Sequence, residues 1–190
     1  MPDSCPTWDL TDLYDGIADD AIAADIAACR QEAEQLEAAW QGRLADADGA
    51  ALAGLIADYE RILEMLGKAQ SHAQLLFAAS TTDSQIARHH QSIREASADI
   101  GARLLFIELE LAALGDAHIT QLLDTPALAV WQPWLRRVRA WAPHQLAPDM
   151  ERMLAERAPN GRGAWVRLFD ETAAALRFPF GEADVTEAEI

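Results

Sequence analysis

The side chains with the widest chemical range in this sequence are its five histidines, His72, His89, His90, His118 and His144. A hydrolytic zinc site on a helix needs histidines at i and i+4, so that both imidazoles face one ion, with a glutamate beside the first as general base. No pair here has that spacing. His89 and His90 are adjacent and point about 100° apart on a helix, so they read as surface residues. Nothing argues for a metal site built from residues distant in sequence. Nucleophilic chemistry is equally unsupported: there is no GxSxG turn and no cysteine near a histidine in sequence. A phosphate-cradling GxxxxGK[ST] loop is absent as well. The sequence therefore assigns no catalytic, no metal-ligating and no cofactor-binding residue.

Three other features carry weaker signals. Glu108 and Glu110 sit in the most apolar stretch, about 200° apart around a helix axis, so they cannot share one site. A buried carboxylate needs a partner such as an arginine, and a structural ion pair or hydrogen bond is the expectation. Trp131, Trp134, Arg136, Arg137, Arg139 and Trp141 form the one basic, aromatic segment. Such a mix can stack and clamp nucleic acid, but Trp131, Trp134, Leu135, Val138 and Trp141 also fit helical spacing. A core face with arginines outside is the simpler reading. Asn160 to Trp165 reads as a turn leading into a helix, whose free N–H groups could hold a carboxylate or phosphate. The start of a helix is the expectation there.

The elements that would position these residues are nearly all helical. Alanine is abundant while Ile, Val and Thr are sparse, a balance that favours helix on side-chain entropy. Asp19 or Asp20 suits an N-cap, and Ile22, Ile26, Cys29, Ala33, Leu36 and Trp40 follow with the rhythm of one helical face. A second helix is expected from about Gly49 to Ala79, its stripe including Leu52, Tyr59, Leu63, Ala73 and Leu76. After a polar turn at Ser80–Ser84, a third runs to about Leu114 and becomes apolar all round from Leu104, the mark of a helix covered on several sides. A short helix over 117–123 precedes Thr125-Pro126, where Thr125 suits a cap and Pro126 the first turn. The following helix, to about Trp141, must kink or restart at Pro133, and Pro143 closes it. Further helices are expected from Pro148 and over 162–175, then a short strand at 176–180 and a turn. Trp8 to Tyr14, with its Trp, two Leu and Tyr, reads as a docking segment. The fold class is therefore all-α, a multi-helix bundle of long antiparallel helices, with a short β-hairpin near 176–186. The expected organisation is an extension and docking segment over 1–16, a helical domain over 17–175, and the hairpin with the start of a further helix over 176–190.

Composition bounds the partners. With 31 acidic against 15 basic residues the formal charge is -16. A field of that sign repels phosphate backbones and anionic lipid, so neither nucleic acid nor membrane is an expected partner. The longest apolar run, Leu104 to Leu114, is far short of the roughly 20 residues that span a bilayer. Cys5 and Cys29 show no CxxC spacing and make no disulfide framework. The N-terminus has no basic segment followed by an apolar stretch. A cytoplasmic location is the expectation.

Motif chemistry gives no activity, but the order of the segments resembles a family. Trp8-Asp9-Leu10-Thr11-Asp12-Leu13-Tyr14 resembles the opening of oligoendopeptidase F-like zinc metallopeptidases, of the thimet-oligopeptidase-like clan. Thr81-Thr82-Asp83, after Leu75-Leu76-Phe77-Ala78-Ala79, is similar to that family's second helix junction, and Leu105 to Leu111 to its apolar central helix. The strongest likeness runs from His144-Gln145-Leu146 through Glu151, then Gly161 to Glu171 and Leu176-Arg177-Phe178. The resemblance implies a longer, mostly helical zinc endopeptidase that cleaves short peptides inside a channel. Its His-Glu-x-x-His helix lies in a C-terminal half, so no zinc ligand or base carries onto any residue here. The role implied for this chain is one wall of the channel, inactive alone, with the catalytic half as partner, short peptides as substrates and zinc as that half's cofactor. Thr186-Glu187-Ala188-Glu189 has capping-box spacing, so the polypeptide is expected to continue beyond Ile190. An apolar patch should then lie exposed where the catalytic half packs, and it could drive a non-native dimer. The alternative from another class is a stand-alone helical interaction domain without enzymatic role.

Overall fold

Three aspartates start the three long helices. Asp19, Asp48 and Asp83 hold extended backbone, and each carboxylate accepts a backbone N–H of the first turn, from Ala21, Ala51, and both Gln85 and Ile86. Such caps contribute about 1 kcal/mol each relative to alanine. In a computed structural model, which describes residues 8–181 and 183–186, they open α1 (Asp20–Trp40), α2 (Gly49–Ala79) and α3 (Ser84–Ala113). These pack as an antiparallel three-helix bundle. Shorter helices follow: α4 (Asp116–Leu123), α5 (Gln132–Trp141), α6 (Pro148–Arg157) and α7 (Arg162–Ala175). The chain restarts at Pro133 rather than kinking. A 3-10 segment, Pro126–Trp131, precedes α5, with Pro133 in its first turn. Thr125 does not cap with its side chain; its hydroxyl donates to the Gln121 carbonyl instead. Pro143 lies in a 3-10 turn, Ala142–His144, that prolongs α5. The all-α class holds, with a single two-stranded hairpin among the described residues. In it β1 (Phe178–Phe180) runs antiparallel to β2 (Ala183–Val185), Phe178 facing Val185. Strand structure begins at Phe178 rather than Leu176.

The core lies between α2 and the second half of α3, where Leu52, Leu55 and Ile62 meet Ile100, Leu104 and Ile107, all nearly inaccessible to solvent. The run that becomes apolar all round is covered by α1, α2, α5 and α6 in turn. The stripe on α2 ends at Phe77, which is buried, rather than at Leu76; Leu63 is exposed. A smaller cluster joins Tyr14 and Ile22 to Ala69, Ala73 and Ile93. Tyr14 thus docks as expected of the N-terminal segment, but Trp8 stands in solvent. Residues 1–7, with Cys5, and Glu187 to Glu189 of the capping box lie outside the described residues.

The two glutamates of the central helix act as structural acceptors. Glu110 takes the backbone N–H of Gly42 at 2.7 Å and of Leu44 at 3.3 Å. That carboxylate pins the α1–α2 connection, where Gly42 holds φ 79°, a left-handed conformation that favours glycine. Glu108 accepts the Tyr59 hydroxyl at 3.4 Å. The expected hydrogen bonding is present, made with a tyrosine and backbone amides instead of an arginine.

Candidate functional site

The histidines do not assemble a metal centre. Among the described residues no three of His, Cys, Asp and Glu converge as an ion would require. The zinc implied by the resemblance therefore finds no ligand set among these side chains, and no chemistry is routed through it here. Their actual placement corrects the surface reading of His89 and His90. His90 is only 5% exposed and stacks on Phe77 at 4.7 Å between ring centres, while His89 is half-buried. His72, 1% exposed, lies edge-on to Tyr14 at 5.2 Å and to His89 at 6.2 Å. Helices α2 and α3 bring these imidazoles together across a short turn, so the cluster was invisible to sequence spacing. Its one partial signal is that His72 follows Ala69 by three residues on the buried face of α2.

Burial pushes the pKa of all three imidazoles below the ordinary value. For His72 the neighbouring His89 acts in the same sense and Asp19 opposes. For His90, Arg94 and Arg167 add to burial and Asp170 opposes. His72 Nδ1, His89 Nε2 and His90 Nδ1 are buried without a hydrogen-bond partner. On the other side of Tyr14 its hydroxyl donates to Asp25 at 2.7 Å, and Lys68 sits 4.0 Å from the ring centre. Cys29 is no nucleophile: it is fully buried in the core, burial raises its thiol to about 11, and its thiol donates only a long hydrogen bond to the Ile62 carbonyl. Catalysis wants a thiol shifted the other way.

The basic aromatic segment is only partly the core face that its spacing predicted. Leu135 and Val138 are buried, Trp131 and Trp134 pack against the core, and Arg136 and Arg137 face outward. Trp141, the last residue of α5, is 62% exposed. Arg139 points inward. Its guanidinium donates to the carbonyls of Ala112 and Leu114 and to Asp116, closing the open end of α3.

The surface that departs most from ordinary packing is formed by α6, α7 and the hairpin. No residue of α6 or α7 falls in the buried class. Yet Met150, Met153 and Leu154 on α6, and Trp165, Val166, Leu168 and Phe169 on α7, are all exposed. Trp165 (73% exposed) and Phe169 (72%) stand one turn apart on the same face of α7. Leu176, Phe178 and Phe180, next along the chain, are exposed as well. Helix α7 is attached to the bundle by its polar groups: Arg167 donates to Gln91 at 2.8 Å, and Arg94 donates to the Gly163 carbonyl at 3.4 Å. The amphipathic arrangement is thus inverted, with polar side chains toward the bundle and aromatic ones toward solvent. Large apolar side chains exposed in such number over one stretch of chain are a feature of interaction sites.

Comparison with known proteins singles out the same part of the chain. Residues 110–178 match the family model described as oligopeptidase F, that of the N-terminal part of M3-type metallopeptidases. The match starts in α3 and runs through α7 to the first residue of the hairpin, a little over a third of the chain. The resemblance to an N-terminal part of an oligoendopeptidase F-like peptidase is thereby supported over that segment. No curated protein and no solved structure matches the chain. Among the described residues no helix is long and apolar enough to cross a membrane.

Proposed function

We propose that this chain is the non-catalytic helical part of a zinc-dependent oligoendopeptidase. In that role it forms one wall of a channel that admits short peptides, and it does not hydrolyse them by itself. The observation that carries the reading is that the apolar face of α6 and α7 lies inside the segment matched to the oligopeptidase F family. A catalytic half of the same polypeptide is the partner that would cover that face. Burying one exposed Trp, Phe or Leu contributes about 1.5–3 kcal/mol, so a few such side chains suffice to hold two lobes together. A wall of long helices then restricts access to peptides thin enough to enter and excludes water from the chemistry. The zinc, its ligands and the general base belong to the partner half. A cytoplasmic setting fits the chain's composition.

The test compares the purified 190-residue chain with a polypeptide extended through the downstream coding sequence, using internally quenched peptides with and without zinc. The reading expects zinc-dependent cleavage by the longer polypeptide and none by the shorter. Robust zinc-dependent cleavage by the 190-residue chain overturns it, as does an open reading frame that closes at Ile190, which favours the stand-alone interaction domain.

A further inference from the structure

A cavity of about 430 Å³ opens where α3, α6 and the start of α7 meet. It lies in the size range of small-ligand sites. Its polar wall is Gln70, Arg94, Ser97 and Arg162, and no carboxylate lines it. That is unusual in a chain with twice as many acidic as basic residues. Elsewhere Arg30 meets Asp99, Arg61 meets Glu32 and Arg103 meets Glu37. Among the described residues Arg94 and Arg162 have no ion-pair partner, and the hydrogen bond from Arg94 to Gly163 is long.

Two further observations show that the place is built. Ser97 is 7% exposed and its hydroxyl has no hydrogen-bond partner. A serine inside a helix can satisfy itself by donating to the carbonyl four residues earlier, and this one does not. Gly163 is the second. A Cβ there would lie 1.8 Å from Arg94 Nη2 and 2.9 Å from the Ala158 carbonyl oxygen. Glycine is thus what lets the Arg94 guanidinium lie across the start of α7. The rest of the wall is small and apolar, including Ala98, Ala102, Ala155 and Pro159. The backbone N–H groups of Gly163 and Ala164 are already used within the turn, donating to Ala158 and Gly161. Side chains must therefore do the holding, with the helix dipole favouring negative charge.

We propose that this cavity binds the carboxylate of a small organic acid with a short apolar body. Arg94 and Arg162 clamp its oxygens, the Ser97 hydroxyl donates a further hydrogen bond, and the alanine wall receives the apolar part. Planar guanidinium forks match carboxylate geometry and form the stronger class of hydrogen bond. Within that class, the free C-terminus of a short peptide is the ligand that the peptidase role supplies, an assignment that rests on the proposed function, whereas the site does not.

Isothermal titration calorimetry on the 190-residue chain tests this with three probes: N-acetyl-trialanine free acid, the same peptide as its C-terminal amide, and inorganic phosphate. Acetylation removes the ammonium group, which the acidic surface would otherwise attract. The expected result is binding of the free acid at least ten-fold tighter than the amide. Arg94→Gln and Arg162→Gln should each erase most of that difference, and Ser97→Ala should reduce it several-fold, with the helical circular dichroism spectrum unchanged. Equal binding of acid and amide, or full retention of the difference in both arginine variants, overturns the site. Tighter binding of phosphate than of the free acid overturns the carboxylate assignment. None of these readouts needs cleavage, so the site can fail while the peptidase role stands. Absence of zinc-dependent activity in the longer polypeptide would leave the site standing.

Discussion

Acidification from pH 7.5 to pH 5.5 should destabilise this protein, and the imidazoles of His72, His89 and His90 should be the cause. Burial holds all three below the ordinary histidine pKa in the folded state, while in the unfolded chain they titrate near 6.5. Between the two values the unfolded chain carries the extra protons, so stability rises with pH. The contribution is complete above about pH 7 and is lost as pH falls toward the folded values. Each proton bound only by the unfolded chain is worth about 1.4 kcal/mol per pH unit. Three groups set a ceiling of about 4 kcal/mol per unit, and with His89 only half-buried a working slope of about 2 is expected. Carboxylates titrate mostly below this window. Relief of self-repulsion in a chain of charge -16 would act in the opposite direction, stabilising as protons bind. The charges facing the cluster are Lys68 and Asp19 beside His72, and Arg94, Arg167 and Asp170 beside His90. Urea denaturation at half-unit steps of pH measures the slope. His72→Phe and His90→Phe should each remove about a third of it. Stability that stays flat or rises on acidification, or a slope unchanged in both variants, would refute the reasoning.

Other expectations follow from the packing. Ile107→Ala should cost about 2–5 kcal/mol in urea denaturation, the range for emptying a buried site, since Ile107 is fully buried. Leu168→Ala, on the exposed face of α7, should cost under about 0.5 kcal/mol in the same chain. Arg139→Ala should destabilise by about 2–4 kcal/mol, because it removes charge-assisted hydrogen bonds to two carbonyls at the end of α3. Cys29 should resist iodoacetamide at pH 8 until the protein unfolds, read as labelling that tracks the denaturation curve, because its thiol is buried and raised to about 11.

What could be read from residues alone was whatever has a local cause. The long helices were legible because their period and caps lie within a few residues of one another, as with Asp19 before Ile22 and Cys29. The fate of Glu108 was half-legible: its need for a partner followed from the apolar run, but Tyr59 arrives from α2, and the Gly42 amide that serves Glu110 from the α1–α2 connection. The imidazole cluster was missed because His72 and His89 meet only after α2 and α3 fold back on each other. Trp141 was misread because helical spacing groups residues on a face without saying how far each one is covered. Arg139 was placed outside for the same reason, since a cap on another helix leaves no trace in the period of its own. The inverted polarity of α7 could not be seen at all from a periodic pattern. Trp165 and Phe169 mark an apolar stripe, and only the position of Arg167 against Gln91 tells that the stripe faces away from the bundle.

The central claim is that α6, α7 and the hairpin are covered by a catalytic half. Hydrogen exchange followed by mass spectrometry over residues 148–180, in the 190-residue chain and in the extended polypeptide, tests it most directly. The account predicts a marked gain in protection across α6 and α7 in the extended polypeptide, with the α2–α3 core unchanged. Equal exchange at Trp165 to Phe169 in the two proteins would contradict it.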